Sequence, residues 1–465
     1  MSRKRPGAGP EPLPVRRPGP GTPVTVAGLA RSGLAAARWL LQVGCPVRVT
    51  ELGRSPELER AARELEREGA SVELGGHTRR FLEDARLLVT SPGVPAEALP
   101  VRWARQAGIP VVGELELGSW FCPGRIVAVT GSNGKSTVVS LVGEILKASG
   151  QEAVVCGNIG APLCGELHRI RPATRVVLEV SSFQLEDSLS FHPEIACVLN
   201  VTDNHLDRHG SFARYLEAKA RMLAFQGPGS WAVLNADDPG SRGMRGGVLG
   251  RLALFSRSKG EAQARVSDGW IRLDLASASG PVCRVDALPA QGAHHVENGL
   301  AAATVAGLAG VEPSLIGQVL RSFKGLPHRQ ERVAQFRGVT FINDSKSTTV
   351  ASGISAIRAA PGPVVLIAGG RDKGGDFSRL RSWAPKLKAA VLIGEDGPRI
   401  ASGLKGSVRL VQASDLRQAV KAAFELARAG ECVVLSPMCA SFDMFRDFEE
   451  RGERFAEEVR HLAAE

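Results

Sequence analysis

Aromatic side chains are scarce in this sequence. Tyrosine occurs once in 465 residues, at Tyr215, and Phe, Trp and Tyr together make up 5%. A surface that binds single-stranded nucleic acid needs rings for bases to stack on, so the composition argues against that class. Long apolar runs are also missing. Stretches such as 364–368 have the length of strands, far short of the roughly 18 apolar residues a membrane helix needs, and this argues against a membrane-spanning chain. The eight cysteines are scattered with no C-x-x-C pair. Buried free thiols in a reducing compartment, the cytoplasm, are the expectation. No apolar stretch follows the basic N-terminus, so it does not read as a secretory signal.

The length is too great for one ordinary core and implies two to four domains. The formal charge is +10, and part of it sits in the first 22 residues, where Arg3, Lys4, Arg5, Arg16 and Arg17 face only Glu11. That Pro/Gly-rich stretch reads as a disordered basic tail. The rest carries a modest positive excess with no Lys/Arg stripe, which suits anionic small molecules at least as well as nucleic acid.

From Pro23 onward, apolar strand-like runs alternate with helical spacing, the pattern of parallel α/β domains. A first block, 23–118, opens with the turn Gly28-Leu-Ala30-Arg31-Ser32-Gly33 after a strand. The helix that follows reads from Leu34. A second block, 119–326, contains a β-rich Gly/Ser stretch over about 240–292. Gly325-Leu-Pro327 reads as a hinge, and a third block, 327–465, follows it.

The strongest motif is Val129-Thr-Gly131-Ser132-Asn133-Gly134-Lys135-Ser136-Thr137, between a strand and a helix. The backbone N–H groups of such a loop cradle phosphates. Lys135 would neutralise them, and Ser136 or Thr137 would ligate Mg²⁺. Val129 replaces the outer glycine of the strict P-loop pattern. Glu179 closes an apolar strand, where a carboxylate suits a hard dication. The segment Asp203-Asn204-His205-Leu-Asp207-Arg-His209 crowds polar groups at another strand end. Lys219, on the helix after it, reads by spacing alone as a surface lysine. In the first block, Ala30 stands where a dinucleotide fingerprint has its second glycine, which argues against a dinucleotide coenzyme. In the third block, Asn343-Asp344-Ser345-Lys346-Ser347-Thr348, Arg371-Asp372-Lys373 and Ser436–Asp443 each follow a strand, and together they suggest one composite site.

In this combination and order the motifs resemble the Mur ligases, the ATP-dependent amide ligases of peptidoglycan synthesis. Leu178-Glu-Val-Ser-Ser-Phe-Gln-Leu-Glu186 and Leu435-Ser-Pro-Met-Cys-Ala-Ser-Phe-Asp443 resemble the branch that adds D-glutamate to UDP-N-acetylmuramoyl-L-alanine through an acyl phosphate. The resemblance runs from about Val24 to the C-terminus. It implies a Rossmann-like domain for the UDP group, a central ATPase domain and a Rossmann-like C-terminal domain.

It also implies roles. Gly131 to Thr137, Asn298, Arg329, Asp344 and Lys346 would bind ATP. Ser136, Glu179, His205 and Lys219 would hold Mg²⁺, with Lys219 as a carbamate, and Lys135, Glu179, His205 and Lys219 would form the catalytic set. Ala30, Arg31, Ser32, Glu51, Arg54 and Asn158 would contact the UDP substrate. Thr348, Lys373, Ser441 and Phe448 would hold D-glutamate. Two positions depart from the family's pattern: Arg371-Asp372-Lys373 places its acid differently, and Asn204 stands where an acid is common. The expectation is a monomer with no membrane or nucleic-acid partner.

Overall fold

The computed structural model describes residues 16–202, 206–258, 260–289, 292–372 and 374–464. They form three α/β sheets in two compact units, one ending at Phe323 and the other starting at Lys324. Among the described residues no helix is long and apolar enough to cross a membrane.

The first sheet holds β1 (Val24–Ala27), β2 (Val47–Glu51), β3 (Ser71–Leu74), β4 (Leu87–Thr90) and β5 (Val111–Gly113), all parallel, in the order β3-β2-β1-β4-β5. β1 and β4 are buried along their whole length, so they read as unbroken apolar runs. The order reverses beside β1, which opens a crevice at its carboxyl end. Gly28 stands there with φ 91°, and a Cβ on Gly33 would lie 1.8 Å from the Gly28 carbonyl oxygen. Only glycine lets the next helix start this close to the strand. That helix is Arg31–Gln42, with Ala30 as its N-cap. It begins a turn before the expected Leu34, because its first residues are polar and carry no apolar period.

The second sheet, in the same unit, holds β6 (Arg125–Thr130), β7 (Ala153–Gly157), β8 (Arg175–Glu179), β9 (Ile195–Val198), β10 (Trp231–Asn235), β11 (Arg251–Ser256), β12 (Ala264–Ser267), β13 (Trp270–Leu275) and β14 (Ala278–Arg284). Their order is β14-β13-β12-β11-β10-β9-β6-β8-β7. Pairing is parallel up to β12, and β13 and β14 close the edge antiparallel. The stretch expected to be β-rich supplies β11 to β14. The switch point lies at β6, between β9 and β8, so the loop after β6 opens beside Glu179 at the end of β8.

These two sheets are joined through buried polar contacts. Helix Glu114–Phe121 follows β5. The expected domain cut at 118 falls inside it, and the expected cut at 326 falls just past the unit boundary. Glu116, fully buried, accepts from the backbone N–H groups of Ser190 (2.8 Å) and Leu189 (3.1 Å) and from Trp120 Nε1 (3.0 Å). Thr90 donates to Asp187 at 2.9 Å, and Arg208 donates to the Pro92 carbonyl at 2.9 Å. A buried carboxylate whose oxygens are filled by N–H donors avoids the desolvation penalty of an unpaired one. The tail expected over 1–22 is ordered from Arg16 on among the described residues. Arg17 donates to the Trp120 carbonyl and lies 4.0 Å over the Phe121 ring, a cation–π contact that seats it on the same helix.

The second unit holds β15 (Glu331–Phe336), β16 (Val339–Asn343), β17 (Val364–Gly369), β18 (Leu387–Ile393), β19 (Arg409–Gln412) and β20 (Cys432–Leu435), in the order β15-β16-β20-β17-β18-β19. Only β15 is antiparallel to its neighbour. β20 lies between β16 and β17, which brings the three polar loops after these strands side by side. Apolar clusters cover both faces of the sheet. The last helix, Phe448–Ala464, adds Phe455 and Val459 to one of them.

Candidate functional site

On the central sheet, the loop after β6 is braced from several sides. Asn200 Oδ1 accepts from the Asn133 N–H at 2.8 Å. Ser132 Oγ donates to the Thr202 carbonyl at 3.1 Å and lies 3.0 Å from the Tyr215 hydroxyl. Gly134 has φ 84°, and a Cβ there would lie 2.3 Å from Asn298 Oδ1. The left-handed backbone favours glycine there, and a Cβ would also have to displace the side-chain oxygen of Asn298. Helix Lys135–Ala148 starts directly after it with no side-chain cap. Its N-terminal N–H groups remain available to an anion.

Glu179 gathers the neighbouring groups. Ser136 Oγ donates to its Oε2 at 2.5 Å and Asn158 Nδ2 donates to its Oε1 at 2.7 Å. Lys135 Nζ folds back onto the carbonyls of Gly131 (3.0 Å) and Ser132 (3.3 Å). Lys219 corrects the surface reading that its spacing suggested. It is 1% exposed, and its Nζ donates to the Gly131 carbonyl at 3.1 Å and to Thr130 Oγ1 at 3.3 Å. Burial, reinforced by Lys135, holds its ammonium well below the ordinary lysine range. The physical reason lies in the helix Phe212–Ala224, whose buried positions are Tyr215, Ala218, Lys219, Met222 and Leu223. Lys219 sits within the apolar stripe, and that position was the available signal.

These groups fit a phosphate-bound Mg²⁺. Among the described residues no three His, Cys, Asp or Glu side chains converge as a metal cluster. Mg²⁺ commonly needs only one or two protein carboxylates when phosphates complete its shell, and Glu179 with the hydroxyl of Ser136 meets that need. His205 lies outside the described residues. His209, near it in sequence, is buried, with Nε2 3.0 Å from Ser182 Oγ and Nδ1 2.9 Å from Glu186 Oε1. It stacks on Phe183 and packs on Tyr215, linking the segment after Glu179 to the ring that touches Ser132.

At the β1 crevice, Ala30 and Arg31 are exposed and Ser32 is half-buried at the helix start. Glu51 uses both oxygens on backbone, accepting from the N–H groups of Leu29 and Gly53 at 2.7 Å each, so it shapes the crevice rather than projecting freely into it. Arg54 is exposed and pairs with Glu59 at 3.0 Å.

In the second unit, Asp344 Oδ1 accepts from the Gln330 N–H at 3.1 Å and Oδ2 from Ser436 Oγ at 3.2 Å. Burial raises its carboxyl above the ordinary range, against the pull of Ser347, Gln330 and Ser436. Lys346 Nζ lies 5.6 Å over the Phe448 ring. The Met438 N–H donates to the Ser347 carbonyl at 2.7 Å, which ties the Asp344–Thr348 turn to the segment leading to buried Ser441. Arg329 Nη1 is buried and has no partner among the described residues. Asp372, whose role the motif left open, accepts from the N–H groups of Gly374 and Gly375 at 3.0 Å each and from Arg399 at 2.5 Å, a turn-shaping role. Lys373 lies outside the described residues. The structure thus brings together Gly131–Thr137, Asn158, Glu179, Lys219 and Asn298 in the first unit, and Asp344, Lys346, Thr348, Ser441 and Phe448 in the second. Thr130, Asn200 and Ser436 lie in or beside the motifs read from the sequence but were given no role there, and Arg451, which belongs to no motif, was missed; all four act as braces.

Three family models match in succession: "Mur ligase MurD-like, N-terminal domain" over residues 22–113, "Mur ligase middle domain" over 129–306 and "Mur ligase, glutamate ligase domain" over 328–439. The UDP-N-acetylmuramoylalanine--D-glutamate ligase of Pelotomaculum thermopropionicum is 45% identical over 443 residues, covering 94% of this chain and 97% of that protein. The protein of the same name from Acidobacterium capsulatum is 41% identical, covering 94% and 96%. Among solved structures, UDP-N-acetylmuramate-alanine ligase MurC from Thermotoga maritima aligns with a TM-score of 0.56 at 17% identity, covering 95% of this chain and 99% of that one. The MurF ligase of Thermotoga maritima in complex with ADP aligns at 0.54 and 16%, covering 90% and 96%. At these identities the two structures speak for the fold alone.

Proposed function

The chain belongs to the Mur ligase family, and from that premise we propose that it joins D-glutamate to UDP-N-acetylmuramoyl-L-alanine at the expense of ATP. The observation that carries the ligase chemistry is the constellation on the central sheet: an uncapped helix start after Gly134, Ser136 and Asn158 on the two oxygens of Glu179, and buried Lys219 against the Gly131 carbonyl. The choice of substrates follows the names of the full-length relatives.

A carboxylate does not react with an amine at neutral pH, because its oxygen is a poor leaving group. In the proposed reaction the alanyl carboxylate attacks the γ-phosphate and gives an acyl phosphate and ADP. The amine of D-glutamate then attacks the acyl carbon, and phosphate leaves. Positioning and charge neutralisation dominate phosphoryl transfer. Lys135 and the helix N-terminus supply these to the phosphates, and Asn298 lies against the loop that holds them. Ser136, Glu179, His205 and Lys219 would hold Mg²⁺, which supplies charge neutralisation at the transferring phosphoryl oxygens. Burial that disfavours the ammonium of Lys219 favours its amine form, the form that reacts with CO2. Addition of that amine to CO2, with loss of a proton, gives a carbamate and turns Lys219 into an anionic oxygen donor. His205 is the proposed base for the D-glutamate amine.

Ala30, Arg31, Ser32, Glu51, Arg54 and Asn158 are the proposed contacts to the UDP substrate. Arg329, Asp344 and Lys346 are proposed for the nucleotide. Thr348, Lys373, Ser441 and Phe448 are proposed for D-glutamate. We place the protein in the cytoplasm as a monomer. Its eight cysteines are free thiols, as a reducing compartment would keep them.

The test is phosphate release from ATP and Mg²⁺ with UDP-N-acetylmuramoyl-L-alanine, adding D-glutamate, L-glutamate or glycine in turn. Turnover with D-glutamate alone, and a product heavier by one glutamyl residue, is expected. Turnover without acceptor preference would overturn the named substrate, and no turnover by folded, Mg²⁺-supplied protein would overturn the ligase reading.

A further inference from the structure

Arg451, on helix Phe448–Ala464, is 1% exposed and heads the large fully buried side chains among the described residues. Its guanidinium makes three hydrogen bonds: Nε to Ser345 Oγ (3.0 Å), Nη2 to the Ser345 carbonyl (2.9 Å) and Nη1 to the Cys439 carbonyl (3.2 Å). All three acceptors are neutral. Among the described residues it forms no ion pair, and Asp443 acts on it only at longer range. Burial pushes its proton affinity down to about 10, so it remains a cation at neutral pH. A buried cation among neutral oxygens is costly unless a negative charge compensates it.

The acceptors of Arg451 are not scattered. Ser345 opens the turn that ends in Thr348, and Cys439 leads into Ser441. Ser345 Oγ, while accepting from Arg451, donates to the Phe448 carbonyl at 2.8 Å. One guanidinium therefore ties together the three segments that carry the proposed D-glutamate contacts Thr348, Ser441 and Phe448.

We infer that Arg451 is a positioning residue for the amino-acid acceptor: it locks these three segments in register, and its positive charge, offset by Asp443 only at longer range, favours an acceptor that carries carboxylates. The inference rests on the D-glutamate reading above. Arg451 acts through Ser345, Cys439 and Phe448 and touches no reacting atom.

The experiment compares wild type with Arg451→Met, Arg451→Lys and Ser345→Ala by steady-state kinetics. All three substrates are varied, and D-glutamine serves as a neutral-side-chain competitor of D-glutamate. Loss of hydrogen bonds to a buried charged group predicts a rise of about 10-fold or more in the KM for D-glutamate in Arg451→Met. The KM values for ATP and the UDP substrate should stay close to wild type, with partial recovery in Arg451→Lys. The inhibition constant of D-glutamine should move less than the D-glutamate KM, a difference a merely structural role would not produce. Ser345→Ala, a small change at the acceptor, should shift the D-glutamate KM in the same direction even if Arg451→Met does not fold. Equal losses towards D-glutamate and D-glutamine, a fall in kcat with every KM unchanged, or no effect in Ser345→Ala and Arg451→Lys would overturn the inference. A wild type inactive with D-glutamate would instead overturn the reading on which it rests.

Discussion

Lys219 Nζ stands 3.1 Å from the carbonyl oxygen of Gly131, the first residue of the phosphate loop. A charged lysine would be an unusual choice there, since Lys135 already supplies a cation to the same carbonyl at 3.0 Å. Conversion of the Lys219 amine to the carbamate proposed above would resolve the conflict. Protein incubated with ¹³C-bicarbonate should show a carbamate carbon resonance that is absent from Lys219→Arg. Turnover of that variant should fall by about 10²-fold or more, the scale for loss of a preorganised charge beside a reacting group. A wild-type spectrum without the carbamate signal would refute this account of the burial.

Glu179→Gln keeps a hydrogen-bonding group against Ser136 and Asn158 but removes the negative charge. Phosphate release should drop by about 10²-fold, and the Mg²⁺ concentration needed for half-maximal rate should rise. A variant with unchanged Mg²⁺ dependence would show that Glu179 only braces the loop. In the same assay, chelation of Mg²⁺ by EDTA should stop turnover of the wild type, and added Mg²⁺ should restore it.

Gly134→Ala combines a strained positive φ with a Cβ 2.3 Å from Asn298 Oδ1. Strain of about 1–3 kcal/mol is expected at such a position. Calorimetry should find ATP binding weakened by roughly 10-fold or more. Binding within experimental error of wild type would mean that the loop adjusts without cost.

The phosphate loop, Glu179 and the third-block loops were legible in the sequence because each is a local device: an apolar strand, a polar turn and a helix start, all contiguous. Lys219 was not legible by composition, since a lysine on a helix is ordinarily solvated, although its place in the stripe with Tyr215 and Met222 marked it. Arg451 left still less trace. Its partners Ser345 and Cys439 lie in the loops after β16 and β20, far apart in sequence, and the pairing of those two strands brings them to one helix. The joining of the first two sheets was hidden for the same reason. Glu114 and Glu116 belong to no motif, and nothing local announces that both are buried.

Glu114 carries a pH signature. It is buried, its Oε1 accepts from the Cys164 N–H at 2.7 Å and its Oε2 has no partner among the described residues. Burial lifts its carboxyl from 4.5 to about 7. The folded state thus holds a proton that the unfolded chain releases near 4.5, so its contribution is greatest below 4.5 and declines as pH rises towards about 7. The thermal midpoint of Glu114→Gln should lose that decline across the window and exceed wild type above it. Parallel midpoint curves for the two proteins would contradict the assignment.

Glu116, Thr90 and Arg208 have a consequence for what the enzyme can accept. They tie the sheet of the β1 crevice, as one frame, to segments after β8 and β9 on the sheet that carries the phosphate loop. Under the proposed function, the nucleotide end of the substrate is anchored at one edge of that frame and its carboxylate reacts at the other. The frame then works as a ruler, and a UDP-sugar that lacks the alanyl residue would bind yet fall short of the phosphate by the length of one amino acid.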